Sequence, residues 1–110
     1  MYYMQLTIKS TNMELLPDIK VYIEQKFGNL EKFLKRFSGK PIELQVEVGK
    51  PSQHHHKGEI FYAEANLILP GKEFRAVNNN YDLRVAIDRV REELARQIVK
   101  YKEVRIENRK

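Results

Sequence analysis

The side chains best suited to chemistry in this sequence are cations that recur through the stretch 82-DLRVAIDRVREELARQIVKYK-102. Apolar residues at spacings of three and four predict one long helix here, with a single buried stripe. The cations fall on both flanks of that stripe. Because a guanidinium can bind a phosphate through two parallel hydrogen bonds, such flanks favour a polyanionic partner. Arg89, Arg96 and Lys100 lie on one flank, and Arg84, Arg91 and Lys102 lie on the other.

A second cationic helix is predicted nearer the amino end. It opens at 16-LPD-18, since proline is tolerated at the first helical position and an aspartate in the first turn suits the helix dipole. We expect it to run through Gly28 and to end at 38-SGKP-41. Lys20 and Lys32 lie on its outer face, and Lys26 lies at the rim of its apolar stripe. The stripe consists of Leu16, Ile19, Ile23, Phe27, Leu30, Leu34 and Phe37.

Other groupings of reactive side chains favour neither a metal site nor an enzyme. The run 54-HHH-56 cannot easily direct three imidazoles at one ion, and the chain has no cysteine to complete a site, so a polar loop is the simpler interpretation. The acidic pairs Asp82 with Asp88 and Glu92 with Glu93 are better explained as partners for arginine. The sequence contains no phosphate-binding loop, nucleophile elbow or dinucleotide fingerprint. We therefore predict a protein with no catalytic residue, no cofactor and no small-molecule substrate.

The elements that must position the cations are predicted from hydrophobic periodicity. Alternating apolar and polar residues indicate strands over 4–9, 42–48 and 61–69, and Phe74 with Ala76 indicates a short fourth strand. Pro70-Gly71 suits the centre of a type II turn, and 78-NNN-80 offers a cap for the last helix. The order is β-α-β-β-β-α, an α+β fold. The simplest packing places both helices on one face of a four-stranded sheet.

Composition sets broad limits on the class of protein. A chain of 110 residues, 42% of them hydrophobic, is expected to form one domain, which we place at residues 1–102, with 103–110 as a charged, frayed tail. No apolar run reaches the length of a membrane span, and we predict no signal peptide and no membrane partner. The absence of cysteine fits a reducing cytoplasm.

The distribution of charge is more informative than the net charge of +5. The positive excess belongs to the predicted helices and tail, whereas the solvent face of the sheet carries Glu43, Glu47 and Glu64. Those carboxylates would repel phosphate, and Tyr62 alone could act as a stacking platform of the type that sheet-based RNA binders use. The alternative is that the charged helix faces are merely solvated, with i,i+4 contacts such as Glu92 with Arg96, or the neighbouring pair Glu93 with Arg96.

Several segments together resemble the ribosome hibernation-promoting factor family, also called ribosome-associated inhibitor or protein Y. The resemblance covers residues 4 to about 102. Its carriers are 4-MQLTIKSTNMEL-15, 26-KFGNLEKF-33, 65-ANLILPGKEFRA-76, Asp82, 86-AID-88 and 94-LARQIVKYK-102.

The resemblance implies a fold similar to a double-stranded-RNA-binding domain and a specific partner. Members of this family bind the small ribosomal subunit in the channel for messenger and transfer RNA, near the decoding centre, and block translation in idle ribosomes. Their helical cations meet ribosomal RNA. Lys26, Lys32, Arg96 and Lys100 occupy positions that are usually basic in the family.

The chain departs from the family pattern at three positions. Asn29 and Glu93 stand where lysine is common, and Arg84 stands where tyrosine is common. The long family form carries a second domain that joins two ribosomes. The chain ends at Lys110 without it, so it resembles the short form, or a long form that was cut, and we expect that it does not bridge ribosomes by itself. We also expect it to be monomeric off the ribosome.

Two alternatives remain open at the level of sequence. One is a general binder of double-stranded RNA. The other is a protein-interaction module that uses the exposed sheet edge, or Tyr62 and Ile68.

Overall fold

A computed structural model describes residues 3–35, 40–51 and 60–108. The elements follow the order β-α-β-β-β-α, as predicted. The strands are β1 (Tyr3–Thr11), β2 (Pro41–Gly49), β3 (Phe61–Leu69) and β4 (Lys72–Asn80), and the helices are α1 (Pro17–Gly28) and α2 (Leu83–Asn108). A 3-10 helix, Asn29–Phe33, follows α1 directly.

The four strands form one mixed sheet in the order β1-β2-β3-β4. β1 runs parallel to β2, with Leu6 opposite Leu44, because α1 crosses over between them. The other two pairs are antiparallel, and Ala65 lies opposite both Val46 and Ala76. Gly71 has a φ of 78°, as the second central residue of the predicted Pro70-Gly71 type II turn requires.

One face of the sheet forms the core together with both helices, which confirms the predicted packing. Alternate residues of β2 and β3 are buried, and α2 packs on β3 and β4. α1 and the 3-10 helix pack against α2, and their apolar residues join the same core cluster. The fully buried members of that cluster include Ile23, Phe27, Leu30, Leu44, Leu67, Ile87, Leu94 and Ile98. The proposed likeness to a double-stranded-RNA-binding domain is compatible with this arrangement and stays a prediction.

The first helix differs from the sequence prediction. The expected single α-helix ends at Gly28, and the chain continues as a 3-10 helix. Both windings bury residues at a spacing of three, so Phe27 and Leu30 reach the core although the winding changes between them. The predicted end of the stripe at Phe37, and the residues 38-SG-39 that follow it, lie outside the described residues, as does 54-HHH-56.

The junction between β4 and α2 also corrects the prediction. β4 is nine residues long and includes Asn78–Asn80, which therefore do not cap the helix. Asp82 is the cap, since its Oδ1 accepts hydrogen bonds from the backbone N–H groups of Arg84 and Val85. Asn80 Oδ1 in turn accepts from the Asp82 N–H at 3.0 Å.

α2 is longer than expected at its other end. It continues through Asn108, so the backbone beyond Lys102 is helical rather than frayed as far as that residue. The domain boundary that we placed at residue 102 stays a prediction.

Candidate nucleic-acid interface

The burial of α2 decides which of its side chains can meet a partner. Its stripe of Leu83, Ile87, Val90, Leu94 and Ile98 is held against the sheet. The two flanks of the helix consequently face different neighbours. One flank lies beside α1 and the 3-10 helix, and the other lies beside β4.

The flank beside α1 is organised by two carboxylates. Arg84 Nη2 lies 2.9 Å from Asp18 Oδ2, and this hydrogen bond is the main reason that the pKa of Asp18 is lowered. Asp88 Oδ1 accepts a 2.7 Å hydrogen bond from the Tyr22 hydroxyl and lies 3.5 Å from Lys26 Nζ. The hydrogen bond to Asp88, followed by burial, raises the pKa of Tyr22 to about 12. These contacts join α1 to α2 and hold Lys26 and Arg84 in place.

Aromatic rings support the cations on the same flank. The Tyr22 ring centre lies 5.4 Å from Lys26 Nζ and 5.3 Å from the Arg84 guanidinium carbon. Arg91 has its guanidinium carbon 5.8 Å from the ring centre of Phe33. Distances of this order are those of cation–π contacts, which orient a charge without neutralising it. A groove of about 300 Å³ lies between the two helices. It is lined by Lys26, Asn29, Asp88, Arg91 and Glu92.

On the flank beside β4, Arg96 forms a bidentate ion pair with Glu93. Arg96 donates through Nε and Nη2 to the two oxygens of Glu93, at 2.9 and 2.7 Å. Gln97 Nε2 donates to Glu93 at 2.8 Å and to the backbone oxygen of Arg75 at 3.0 Å, which fixes α2 against the edge strand. The hydrogen bond from Arg96, followed by that from Gln97, lowers the pKa of Glu93 to about 2, and the pKa of Arg96 is raised. A groove of about 560 Å³ lies here, between α2 and β4.

The structure divides the predicted cations into three groups. Lys26, Arg84 and Arg96 each form an ion pair within the protein. Lys102 is half-buried near the end of α2. The remaining ones make no ion pair with a carboxylate in the described part of the chain. They are Lys20, Lys32, Arg89, Arg91 and Lys100.

Lys20 and Lys32 are not brought to either groove. Both are exposed on the side of α1 and the 3-10 helix, and Lys32 Nζ lies 5.3 Å from the ring centre of Phe33. Lys20 and Lys32 would therefore extend the cationic surface of the helices, but they do not line either groove.

The solvent face of the sheet carries the expected carboxylates. Glu47 accepts hydrogen bonds from the hydroxyls of Tyr62 at 2.5 Å and Thr11 at 3.0 Å, and both bonds lower its pKa. Glu64 accepts from Arg75 Nε at 2.6 Å. Tyr62 is thus half-buried and engaged by its hydroxyl, which does not suit a freely exposed stacking platform.

The comparison with known proteins decides the family. A model of the family described as Sigma 54 modulation protein / S30EA ribosomal protein matches residues 6–106. A ribosome hibernation promoting factor from Klebsiella oxytoca is 36% identical over 100 residues, which cover 91% of this chain and 95% of that protein. The chain belongs to the ribosome hibernation-promoting factor family. The resemblance predicted from the sequence is therefore confirmed.

Other family members agree in sequence and in fold. A ribosome hibernation promotion factor from Lactococcus lactis subsp. cremoris is 31% identical over 98 residues, covering 89% of this chain and 49% of that protein. The Protein Y N-terminal domain from Thermus thermophilus superposes with a TM-score of 0.67 at 24% identity, covering 91% and 97% of the two chains. A ribosomal subunit interface protein from Coxiella burnetii gives 0.72 at 18% identity, covering 90% and 98%. The two structures establish the shared fold.

The three departures from the family pattern can now be located in this hibernation-factor family member. Asn29 lines the groove between α1 and α2. Glu93 lies in the other groove, where Arg96 and Gln97 engage its carboxylate. Arg84 pairs with Asp18, 66 residues away in the sequence. Sequence periodicity could not indicate that pair, because it joins two different helices.

Within the ranges that the structure describes, neither helix combines the length and the apolarity needed to span a bilayer. The same ranges contain no group of three or more histidine or acidic side chains with the spacing of a metal site. Neither the family nor the relatives are named for a chemical reaction.

Proposed function

We propose that this chain is a hibernation factor that binds the small ribosomal subunit in the channel for messenger and transfer RNA, near the decoding centre. It is a cytoplasmic protein that contacts ribosomal RNA with the cationic side chains of its helices. It inhibits translation by occupying the channel of the subunit. Residues 1–102 constitute the ribosome-binding domain, and the chain is monomeric away from the ribosome. The proposal rests on the family assignment and on the distribution of charge over the fold.

The observation that carries the proposal is the segregation of available charge. Arg89 and Lys100 on one flank of α2, and Arg91 on the other, make no ion pair in the described ranges. The solvent face of the sheet has mixed charge: Glu43 and Lys9 are exposed, and Glu47 and Glu64 are engaged by Tyr62 and Arg75. Unpaired positive charge therefore concentrates on the helices and attracts phosphates to them.

Occupancy requires no chemistry from the protein. A cationic helix whose two flanks both face solvent grooves can meet RNA on two sides, as a plug in an RNA-walled channel must. Each phosphate contact releases counterions, so binding depends steeply on salt. Arginine is well suited to the task because its planar fork can bind two phosphate oxygens at once.

Co-sedimentation with purified small subunits tests the proposal. We expect the chain to pellet with subunits at low salt and to lose on the order of a hundredfold or more in affinity between about 50 and 200 mM salt. The variant Arg96→Glu, Lys100→Glu should lose binding while its circular dichroism spectrum stays that of the wild type. Retained binding by this variant would refute the helical surface.

A matched control separates a local effect from a change in net charge. Lys9→Glu, Lys40→Glu makes the same change in charge at two exposed positions away from α2. It should bind subunits like the wild type. Equal affinity of the wild type for a plain RNA duplex and for subunits would favour a general double-stranded-RNA binder. A salt-insensitive protein partner without ribosomal RNA would favour an interaction module.

A further inference from the structure

The groove between β4 and α2 has features that phosphate attraction alone does not explain. One wall is the stretch Arg75–Asn78 of β4, whose outer edge has no neighbouring strand among the described elements. The other wall is the flank of α2 that carries Arg89, Glu93 and Arg96. At about 560 Å³ the groove has room for a nucleotide unit.

Asn78 contributes an unused hydrogen-bond acceptor to this groove. It follows Phe74 and Ala76 in the strand alternation, so its side chain points towards α2. Its Oδ1 atom is buried, and it accepts no hydrogen bond from any described residue. Since buried acceptors in proteins nearly always have a donor, a bound ligand or water molecule is needed to supply one.

The opposite wall presents hydrogen-bond donors. Glu93 occupies the Nε and Nη2 edge of Arg96, which leaves the Nη1 amino group to a ligand. Arg89 makes no ion pair within the described ranges. The charge of Glu93 is engaged by Arg96 and Gln97, and Glu92 stands at the exposed rim. An anion in the groove therefore finds two guanidinium groups, one of them held in a fixed orientation.

We propose that this groove is a ribonucleotide subsite of the RNA-binding surface. Arg89 and Arg96 bind the oxygens of one phosphodiester, and Asn78 Oδ1 accepts a hydrogen bond from the 2′-hydroxyl of the adjoining ribose. A phosphodiester carries no proton to donate, so a phosphate alone would leave Asn78 without a partner. The 2′-hydroxyl is the group by which a protein distinguishes RNA from DNA at such a site. The inference rests on the proposed function and deepens it, because it extends the contact surface from the helices to the edge of the sheet.

NMR titration of the full chain with hexauridylate tests the subsite directly. We expect shifts at the Arg89 and Arg96 side-chain N–H signals and at the backbone amides of Val77 and Asn78. The 2′-deoxy hexanucleotide should bind about three- to tenfold more weakly, the effect of one net hydrogen bond. Shifts elsewhere with none in the groove, or equal binding of RNA and DNA, would overturn the proposal. Tighter binding of hexaglutamate than of RNA would assign the groove to an acidic protein instead.

Variants separate the two halves of the subsite. Asn78→Leu should abolish the preference for RNA over DNA, and Asn78→Ala should do the same without added bulk. Arg89→Gln should weaken binding of both oligonucleotides and reduce the salt slope by about 0.7, the value for one single-strand phosphate contact. Lys9→Gln is the matched control, because Lys9 is exposed on β1 and does not line this groove. An unchanged RNA preference in both Asn78 variants would exclude the 2′-hydroxyl contact.

The same variants on small subunits distinguish this inference from the proposed function. If the wild type binds subunits and both Arg89→Gln and Asn78→Ala bind them equally well, the subsite is wrong and the function stands. If the wild type fails to bind subunits but hexauridylate shifts the groove signals, the function is wrong and the RNA subsite stands.

Discussion

Two glycines, Gly49 and Gly28, differ in how closely the rest of the fold approaches them. A Cβ atom added at Gly49 would collide with the backbone oxygen of Thr11 and would lie 3.1 Å from the Tyr62 hydroxyl. Gly49 pairs with Thr11 of β1 and Tyr62 of β3, so the strands on both sides of it approach closely. Gly28 lies at the end of α1 with φ of −57° and ψ of −32°, and a Cβ atom there would meet nothing within 4 Å.

We expect Gly49→Ala to destabilise the protein by about 2 to 3 kcal/mol, since the collision involves backbone that cannot move without shifting β1. Urea denaturation monitored by circular dichroism measures the change. Gly28→Ala is the matched substitution, and we expect it to stabilise by about 0.5 to 1 kcal/mol because helical dihedrals suit alanine better than glycine. Equal stability of the two variants would show that the close approach at Gly49 is wrong.

At the scale of elements, α1 and α2 are joined by polar contacts above their apolar interface. The Tyr22 hydroxyl donates to Asp88 at the point where Lys26 also approaches. A hydrogen bond to a carboxylate is stronger than a neutral one, but partial exposure to solvent reduces its net value. The pair therefore contributes modestly to stability and defines how the two helices sit relative to each other.

We expect Tyr22→Phe to lower the free energy of unfolding by about 1 to 2 kcal/mol at neutral pH, measured by urea denaturation. Folding raises the pKa of Tyr22 from 10.0 to about 12, so its stabilising contribution is complete below pH 10 and is lost as the pH rises through about 12. The difference between wild type and variant should shrink over that interval. Tyr81→Phe is the control, because the Tyr81 side chain is 73% exposed, and it should change stability by less than about 0.5 kcal/mol. A pH-independent difference would argue against the hydrogen bond.

Elements whose position follows from the local apolar pattern could be predicted from the sequence. Elements whose ends are set by contacts with other elements could not. Alternation in β2 and the stripe of α2 follow from burial on one face, so both were predictable. The extension of β4 to Asn80 was not, because its polar residues pair through their backbones with β3, as Asn80 does with Phe61. The change from α-helix to 3-10 helix after Gly28 keeps the same residues buried. The spacing of the apolar residues therefore does not reveal it.

The candidate site was predictable to a similar degree. Helical periodicity placed Arg89 and Arg91 on opposite flanks of α2, and the structure puts them in different grooves. It could not reveal that Arg84 pairs with Asp18, or that Asn78 turns an acceptor towards α2, since both depend on how separate elements pack. The ion pair of Arg96 forms with Glu93 at i,i+3, one of the two partners that the sequence allowed.

At the scale of the whole molecule, the fold separates two kinds of surface. The solvent face of the sheet has mixed charge, with Glu43 and Lys9 exposed, and the helices carry the unpaired cations Arg89, Arg91 and Lys100. α2 lies on β3 and β4 with a groove along each flank. A molecule with this arrangement can bind RNA on both sides of one helix while its sheet faces away.

A comparison of the two flanks of α2 tests whether the molecule fills a channel or lies on a single RNA wall. Lys32→Gln, Arg91→Gln removes two cations that lie over the Phe33 ring on the side that faces α1 and the 3-10 helix, and Arg89→Gln, Lys100→Gln removes charge from the side that faces β4. If RNA surrounds the helix, each pair should reduce the slope of log affinity for small subunits against log salt by roughly 1.4 to 1.8, the value for two phosphate contacts. The effects should add in the quadruple variant because the flanks contact separate walls. The neutralised control Lys9→Gln, Lys40→Gln should keep the wild-type slope. A full effect from one flank and none from the other would mean that the protein lies against a single RNA surface and does not plug a channel.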